Sequence, residues 1–461
     1  MIPDRLRSLV DEVGDVAARF EQAGFRLYLV GGVVRDAVLG RLSPEHDLDF
    51  TTNARPDDVE RIVRGWADAV WTQGKKFGTV GLLKGGRRME ITTHRAEAYL
   101  PDSRKPVVMF SDAVEADLSR RDFTVNALAL SLPDLILIDP FNGIDDLAAH
   151  RLRTPLSPEE SFTDDPLRML RAARFIAGYR LVPDENVVDA VTRLRSRLDI
   201  VSEERIRDEL DKLLVVERPG EGLWFLVRTG LAEEFLPELP ALVLEQDPIH
   251  RHKDVLAHTI AVVEKCRPDR ILRLAALLHD IGKPKTRSYG PGGTVSFHHH
   301  EVVGARMARD RMRALRYPSE DIEQVSRLVE LHLRFHTYRM GWTDSAVRRY
   351  VRDAGPLLDQ LNELTRNDCT TRNPVKAKAL ARRIDELERR IDELERQEEL
   401  AAIRPDLDGN EVMARLGIAP GPLVGEALDF LLELRLEEGP LGKEEASRRL
   451  AAWWAERSQS S

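Results

Sequence analysis

The sequence predicts an α+β fold, in which a small mixed-sheet head is followed by an all-α remainder. Short β-rich runs alternate with helical patterns between Phe25 and about His150. Gly85-Gly86 separates two of these runs, and paired glycines are typical of a two-residue hairpin, so part of the sheet is expected to be antiparallel. From about Arg151 onward, apolar residues recur at three- and four-residue spacing, which predicts helices.

The predicted elements follow in order along the chain. Apolar positions among acidic ones at the start predict an amphipathic helix rather than a signal peptide. Strands are predicted at 27–30, 48–51, 80–84, 89–93 and 135–139. Near the end, an a/d pattern is formed by Ile384, Leu387, Ile391 and Leu394. Two heptads are too few for a coiled coil, so we expect a long solvent-edged helix or a helical hairpin there.

Breaks in the helical pattern near Pro237–Pro248 and Thr371–Pro374 suggest domain boundaries. A chain of 461 residues is also too long for one hydrophobic core. We therefore expect four segments: a head at 1–150, a helical neck at 151–240, a histidine-rich domain at 241–372 and a helical tail at 373–461.

Composition limits the partners and the compartment. Lys and Arg total 69 against 78 Asp and Glu, a net charge of -9, so any nucleic-acid contact requires a local basic surface. Cys266 and Cys369 lie far apart without CxxC spacing, which argues against a disulfide framework and fits a reducing compartment. No apolar run approaches the roughly 20 residues needed to cross a bilayer. A cytoplasmic protein without a membrane partner is expected.

Two aspartates at positions i and i+2 are the main candidate metal ligands of the head. Asp47 and Asp49 would point to one face of a strand while Leu48 points to the core. Such a pair alone is more often solvated, and Gly31-Gly32, which follows the first strand, alone is compatible with a simple turn. Together they predict a magnesium site beside a phosphate-binding turn, as nucleotidyl transfer requires.

Glu90 is a candidate third carboxylate. It lies between Met89 and Ile91 on the second strand of the predicted hairpin. A third acid is often used in such sites, but a solvent-facing strand glutamate is the alternative interpretation.

Five motifs in a fixed order resemble a known family. Gly31-Gly32-Val33-Val34-Arg35-Asp36 with Asp47-Leu48-Asp49 is similar to the signature of the nucleotidyltransferase branch that contains class II CCA-adding enzymes and bacterial poly(A) polymerases. The other motifs are Arg120-Arg121-Asp122-Phe123-Thr124-Val125-Asn126, Asp139-Pro140-Phe141-Asn142-Gly143, Asp164-Asp165-Pro166-Leu167-Arg168 with Arg171 and Arg174, and Glu204-Arg205-Ile206 with Glu209-Leu210. Asp164 stands where the family usually has glutamate, a substitution that we expect to be tolerated.

The resemblance implies template-independent addition of CCA to the 3′ end of tRNA from CTP and ATP, with Mg²⁺ at the carboxylates. It implies nucleotide binding by Gly31, Gly32, Arg35, Arg121, Asp122, Asn126, Asp165, Arg168, Arg171 and Arg174. Arginine forks suit a triphosphate, although a surface ion pair is the alternative for Arg35 and Arg121. Asp165 and Arg168 share a helix face and can imitate a Watson–Crick edge; a helix cap with a local ion pair is the alternative.

A polar segment within residues 95–110 resembles the loop that this family needs for the final AMP. Asp102 and Arg104 match the family pattern, whereas Lys105 stands where the family has histidine. The segment favours full CCA addition. An ordinary surface loop and a CC-only enzyme are the alternatives.

The middle helical region contains a second group of candidate ligands: His258, His279, Asp280, His300, His332 and Asp368. The adjacent pair His279-Asp280 after an apolar run resembles the HD phosphohydrolase superfamily. Adjacent residues on a helix diverge by about 100 degrees, so we expect the pair at a helix end. The resemblance implies a divalent metal of unknown identity and phosphatase or phosphodiesterase activity. A structural role for His300 and His332, and a regulatory or structural HD domain, are alternatives.

Short C-terminal motifs, beginning with Asp408-Gly409-Asn410, resemble the family's tRNA-facing tail. A poly(A) polymerase is one rival function, although the basic arginine-rich insert expected of it is missing from the sequence. An HD phosphohydrolase with a non-catalytic RNA-binding head is another, against which the intact Asp47, Asp49 and Asp165 argue. The expected partners are the tRNA 3′ end, CTP and ATP, not DNA or a membrane.

Overall fold

The computed structural model describes residues 4–42, 46–100, 103–244, 254–291, 294–337, 342–368, 374–398 and 403–459. The chain divides into two compact units, Met1–Pro240 and Ala241–Ser461. Among the residues that the structure describes, no helix is long and apolar enough to cross a membrane.

The first unit is built on a mixed sheet of seven strands. These are β1 Leu27–Val30, β2 Leu48–Thr52, β3 Ala69–Trp71, β4 Thr79–Lys84, β5 Arg87–Thr93, β8 Ala129–Leu132 and β9 Leu137–Ile138. Their order is β3-β4-β5-β2-β1-β8-β9, and β2 and β5 are parallel while the other neighbours are antiparallel. Lys84 pairs with Arg87 across Gly85 and Gly86, which have φ values of 55 and 81 degrees. Both the mixed sheet and the predicted hairpin are confirmed.

Helices of the first unit surround this sheet and form the neck. Over its described residues they are α1 Asp4–Gln22, α2 Gly32–Leu39, α3 Pro56–Val63, α4 Val114–Ser119, α5 Gly143–Ala148, α6 Pro158–Asp164, α7 Leu167–Tyr179, α8 Glu185–Leu194, α9 Glu203–Leu214, α10 Gly220–Arg228 and α11 Leu231–Phe235. α7 begins where the Asp165 carboxylate accepts a hydrogen bond from the Leu167 N–H at 3.2 Å. Its Phe175 packs against Phe123, with 5.3 Å between ring centroids, and so joins the neck to the head.

The second unit is mostly helical, as predicted. Its helices are α12 Val255–Lys265, α13 Arg270–Leu278, α14 Lys283–Thr286, α15 His300–Ala314, α16 Ser319–Leu331, α17 Arg334–Thr337, α18 Asp344–Ala354, α19 Leu358–Asp368, α20 Pro374–Glu398, α21 Gly409–Leu416, α22 Pro422–Glu438 and α23 Lys443–Gln459. α20 is the long helix expected from the a/d pattern, and all four apolar residues of that pattern are buried.

The structure departs from the predicted elements in several places, and strands β3 and β8 of the sheet were not predicted. The segment expected to be a polar loop forms, over its described backbone, a hairpin of β6 Arg95–Leu100 and β7 Ser103–Phe110. Charged and proline residues in this segment, such as Arg104 and Pro106, hid the strand signal. The strand expected at 135–139 is shorter because Leu135 has a φ of 59 degrees. Very short strands, which leave no periodic signal, also occur in the helical part: β10 Arg151–Leu152, β11 Val182–Pro183, β12 Arg287–Tyr289 and β13 Val295–Phe297.

Candidate active site and metal centre

The three predicted carboxylates of the head lie together on one face of the sheet. Leu48 is buried, so strand alternation turns Asp49 to the opposite face. Glu90 is the direct neighbour of Asp49 in the parallel pairing of β2 and β5. With Asp47 they line a cavity of about 460 Å³. Glu90 is exposed, as a strand glutamate facing solvent would be, but it also stands beside Asp49.

The electrostatics of this group favour a bound cation. Asp49 is accessible from the cleft, but the surrounding protein shields it from bulk water, and this desolvation is the main reason that its pKa is raised. Arg121 opposes the shift, and the negative charges of Glu90 and Asp47 add to it. Carboxylates that repel one another in this way fit a divalent metal with oxygen ligands.

A second cavity, of about 400 Å³, adjoins the carboxylates and is here called the nucleotide cleft. Many of the predicted nucleotide-binding residues line it: Gly31, Gly32, Arg121, Asp122, Asn126, Asp165, Arg168 and Arg171. Arg95 and Arg120 line it as well, although the sequence did not predict a role for them. Five arginines around one cavity suit a ligand with several negative charges.

Buried Asp117 holds two of these arginines in place. Its carboxylate accepts from Arg120 Nη2 at 3.0 Å and from Arg121 Nη2 at 3.3 Å. Although burial alone would raise it, the charges of the two arginines lower the pKa of Asp117. Gly31 has a φ of 75 degrees, which favours glycine, and a Cβ there would lie 2.8 Å from Arg121 Nη1 and displace it.

Asp122 fixes the opposite wall of the cleft. Its carboxylate accepts from Asn126 Nδ2 at 2.9 Å and from Arg171 Nε at 2.8 Å. Burial opposes ionisation, yet the Arg171 charge and the Asn126 hydrogen bond lower the pKa of Asp122 below its usual range. The carboxylate is therefore an ionised anchor rather than a proton donor.

Asp165 and Arg168 both line the cleft, but they do not pair with each other. Arg168 is buried and donates to Ser161 Oγ at 2.9 Å and to the carbonyl oxygen of Arg120. Asp165 accepts from Arg205 Nη2 at 3.3 Å. The two side chains thus present a fixed donor group and an acceptor group to the same space.

Two of the predicted nucleotide-binding arginines, Arg35 and Arg174, are held by other side chains. Arg35 is 6% exposed, and its guanidinium group donates to Asn126, Tyr179 and Asp36. Its Cζ lies 4.1 Å from the Tyr179 ring centroid. Arg174 donates to Glu209 Oε2 at 2.8 Å. The structure therefore shows both arginines linking the neck rather than lining the nucleotide cleft.

The predicted loop residues are only partly described. Asp102 lies outside the described residues, and for Arg104 the structure describes only the backbone, which belongs to β7.

In the second unit, the six predicted HD residues come together. α13 ends at Leu278 with His279 at its C-cap, as expected for the adjacent pair. Ligand atoms within 4.8 Å of one another form two groups that share Asp280: His258, His279 and Asp280, and Asp280, His300 and His332. Asp368 joins the first group, since its Oδ1 lies 2.8 Å from His258 Nε2 and 3.4 Å from His279 Nε2.

Backbone carbonyl groups orient three of the imidazoles. The Nδ1 atoms of His279, His300 and His332 lie 2.8, 2.7 and 2.6 Å from the carbonyl oxygens of Ala276, Phe297 and Val329. These carbonyl groups accept the Nδ1 proton, so each Nε2 is the atom left to bind a metal ion or a second proton. The three Nε2 atoms are buried without a hydrogen-bond partner in the described structure, an arrangement that fits a metal ion.

Carboxylates and neighbouring cations set the charge states at the HD centre, where Lys283 Nζ lies 2.6 Å from Asp280 Oδ2. Burial lowers the pKa of His279, but Asp280 and Asp368 outweigh it and raise that pKa to about 10. Burial and the neighbouring His279 lower the pKa of His332 to about 3. A potential that attracts a proton to His279 also attracts a metal cation.

Comparison with known proteins places this arrangement in a family. Residues 27–153 match the model of the poly A polymerase head domain, and residues 255–392 match that of the HD domain. Residues 181–242 match a probable RNA and SrmB-binding site of polymerase A. The chain is 33% identical to the A-adding tRNA nucleotidyltransferase of Deinococcus radiodurans over 93% of this chain and 95% of that protein. The chain belongs to the tRNA nucleotidyltransferase family.

Other members of the tRNA nucleotidyltransferase family are named for different additions to tRNA. The CC-adding enzyme of Thermus thermophilus is also 33% identical, over 92% of this chain and 93% of that protein. The CCA-adding enzyme of Streptococcus gordonii is 40% identical over 51% of this chain and 57% of that protein. The A-adding and CC-adding relatives thus match almost the whole chain, whereas this CCA-adding relative matches about half of it.

Solved structures share the fold of this tRNA nucleotidyltransferase. The CCA-adding enzyme of Bacillus stearothermophilus in complex with CTP gives a TM-score of 0.68 at 22% identity, covering 100% of both chains. The Thermotoga maritima CCA-adding enzyme with tRNA gives 0.60 at 19%, covering 98% of this chain and 96% of that chain. Nucleotidyltransferase and HD families generally use divalent metals, and the two groups of HD ligand atoms described above could hold a metal ion.

Proposed function

We propose that this tRNA nucleotidyltransferase completes the 3′ end of tRNA by adding C, C and A from CTP and ATP without a template. One observation carries the proposal. One cleft is lined by the carboxylates of Asp49 and Glu90 and by the guanidinium group of Arg121, a group that suits phosphate. The pair Asp165 and Arg168 lines the same cleft.

In the proposed reaction, different residues bind the triphosphate and the metal ion. Arg121 and Arg120, held by Asp117, bind the triphosphate, while Gly31 allows its close approach. Asp47, Asp49 and Glu90 would hold Mg²⁺, which neutralises phosphate charge and activates the attacking hydroxyl. This leaves base selection to the neck.

Selection of the base follows from donor and acceptor positions. Asp165 accepts from the exocyclic amine of cytosine or adenine, and Arg168 donates to ring acceptors. At the same positions, uracil and guanine carry a keto oxygen and a ring N–H. These groups do not match the acceptor of Asp165 and the donors of Arg168, so the two side chains are left unpaired.

We also propose that the HD centre is an accessory phosphohydrolase with a divalent metal at His258, His279, Asp280, His300, His332 and Asp368. Imidazole and carboxylate ligands around a metal suit hydrolysis of phosphate esters. Hydrolysis of bis-p-nitrophenyl phosphate and of a 2′,3′-cyclic nucleotide, each with added Mn²⁺, Co²⁺, Ni²⁺ or Mg²⁺, tests this activity.

We also propose the domain bounds, the loop residues and the partners that the sequence predicts. We propose a head at 1–150, a neck at 151–240, an HD domain at 241–372 and a tRNA-facing tail at 373–461. Asp102 and Arg104 are proposed to assist the addition of AMP. The proposed partners are tRNA, CTP and ATP in the cytoplasm, with neither DNA nor a membrane.

One incorporation experiment tests the main proposal. tRNA transcripts that end at the discriminator base, at C and at CC are each offered CTP, ATP, GTP or UTP with Mg²⁺. The proposal expects C, C and then A, in that order and with no further extension. Unlimited addition of A to arbitrary RNA would contradict it in favour of poly(A) synthesis.

Partial addition is the second candidate function. Two relatives that match over more than nine-tenths of this chain are named A-adding and CC-adding enzymes. Incorporation only of A into the transcript that ends in CC would establish an A-adding enzyme. Two C residues without a final A would establish a CC-adding enzyme.

A further inference from the structure

The two cavities of the head meet at the carboxylates. Both include Asp49 and Glu90, but they extend in opposite directions along the parallel strands β2 and β5. The nucleotide cleft continues to Thr92, while the other cavity continues to Asp47 and Arg88. We call the latter the tryptophan cavity, after Trp71, which forms its outer wall.

Trp71 reaches this position because the neighbouring strand carries a glycine. Trp71 pairs with Gly81, Gly81 with Glu90, and Glu90 with Asp49, so the four residues form one row across the sheet. A Cβ on Gly81 would lie 2.0 Å from the indole Nε1. The indole therefore covers Gly81 and lies one strand spacing, about 5 Å, from the strand of Glu90.

Arg88 supplies the positive charge of the tryptophan cavity. It lies two residues before Glu90 on the same face of β5, and its Cζ is 5.6 Å from the indole centroid. The side chain is exposed, and within the described residues it forms no ion pair. One guanidinium group beside an aromatic ring suits one phosphate and one base, rather than a triphosphate.

We propose that the tryptophan cavity holds the 3′-terminal nucleotide of the RNA primer, with its base on Trp71 and its phosphate against Arg88. The inference rests on the proposed function. In-line phosphoryl transfer places the attacking hydroxyl and the leaving pyrophosphate on opposite sides of the reacting phosphorus. The triphosphate-binding arginines occupy the nucleotide cleft, so the hydroxyl enters from the cavity that shares Asp49 and Glu90.

An aromatic wall also fits a primer whose end changes after every addition. The terminal base is first the discriminator base and then C, yet the same carboxylates serve each step. Stacking on an aromatic ring tolerates any base, because every base has a π-face. Hydrogen-bond readout at this position would instead favour a single terminus.

Steady-state kinetics with tRNA transcripts test the inference. For Trp71→Ala and Arg88→Gln, we expect the KM for tRNA to rise about ten-fold while the KM for CTP changes less than about two-fold. Trp71→Phe keeps an aromatic face and should restore most of the loss. Trp66→Ala and Arg87→Gln are matched controls, because Trp66 contacts Arg19 and Lys84, and Arg87 pairs with Glu12.

Gly81→Ala provides a variant that keeps the tryptophan but displaces it. We expect Gly81→Ala to raise the KM for tRNA in the otherwise unchanged chain and to add nothing further when combined with Trp71→Ala. Equilibrium binding to transcripts that differ by one 3′ nucleotide, measured without CTP, should show that Trp71→Ala removes the contribution of the last nucleotide.

Different results would overturn different proposals. An unchanged KM for tRNA in Trp71→Ala, or an equal rise in Trp66→Ala, would overturn the primer site while leaving nucleotide addition intact. A rise in the KM for CTP alone would assign the tryptophan cavity to the incoming nucleotide. Failure of the unmodified protein to extend any tRNA would instead reject the proposed function.

Discussion

The two groups of candidate metal ligands differ in the atoms that they leave accessible. In the head, Asp49 and Glu90 are exposed to an open cleft, and the surrounding arginines are fixed by Asp117 and Asp122. In the second unit, the imidazoles of His279 and His332 are buried and fixed by backbone carbonyl groups. The site in the head has exposed carboxylate oxygen atoms, whereas the HD site has buried imidazole nitrogen atoms.

From this difference we expect two kinds of metal occupancy. Open carboxylates suit a hard cation that arrives with the nucleotide phosphates and leaves with the product. Enclosed imidazoles suit a transition metal that stays bound between turnovers. The sites should therefore respond separately to substitution, to metal removal and to pH.

The largest expected effect is loss of nucleotide addition in Asp49→Asn. Removal of a carboxylate charge from the proposed metal site should lower kcat for CTP incorporation on the order of 10³-fold. Hydrolysis of bis-p-nitrophenyl phosphate at the HD centre should remain within about two-fold. Substantial incorporation by the variant would contradict the assignment of Asp49.

The next effect is loss of the enclosed metal in His279→Ala. This change removes a ligand that belongs to the first group of HD atoms, so metal affinity should fall at least about 100-fold. Mass spectrometry of metal content after dialysis measures the loss, and nucleotide addition serves as the internal reference. His299→Ala is the matched control because its side chain is 84% exposed. Equal metal retention in both variants would reject the HD metal site.

Residues that are close in sequence allowed most of the candidate sites to be predicted. Asp47 and Asp49 follow from strand alternation, and His279-Asp280 from an apolar helix that ends before it. The mixed sheet followed from short β-rich runs and one glycine hairpin. Each of these signals needs only a few consecutive residues.

Contacts between distant residues set the limit of prediction. The sequence indicated Arg35 as a phosphate ligand. In the structure its guanidinium group donates to the hydroxyl of Tyr179, which lies 144 positions later in the chain. Trp71 belongs to a three-residue strand, and its place near the carboxylates depends on the pairing of three strands. Arg88 offered a usable signal, since it lies two residues before Glu90 and directly precedes the strand predicted at 89–93.

A smaller effect is expected on base selection in Ser161→Ala. Ser161 holds the Arg168 guanidinium group, and hydrogen bonds to charged groups contribute about 1.5–3 kcal/mol. We expect discrimination of CTP against UTP, compared as kcat/KM, to fall roughly 30-fold. Thr163→Ala, an exposed change on the same helix, is the control. Unchanged discrimination would show that Ser161 does not position Arg168.

The smallest expected effect concerns the stability of the head. His94 is buried beside Tyr28, and its Nδ1 is 2.8 Å from Thr51 Oγ1. Burial lowers the pKa of His94 to about 4, and the partial opposition of Asp117 is too weak to reverse it. His94 thus behaves unlike His279, which has two carboxylates beside it.

The sign of the pH dependence follows from this lowered pKa. Below the ordinary histidine pKa of 6.5 the unfolded chain binds a proton at His94, whereas the folded head does not until about 4, so acid favours unfolding in that window. Between about pH 7.5 and 5.5, His94 should cost the head about 1.4 kcal/mol. Hydrogen exchange of β1 peptides, corrected for intrinsic rates, measures the loss. His94→Gln should lose less stability over this range, and an equal loss in both proteins would show that His94 does not titrate as proposed.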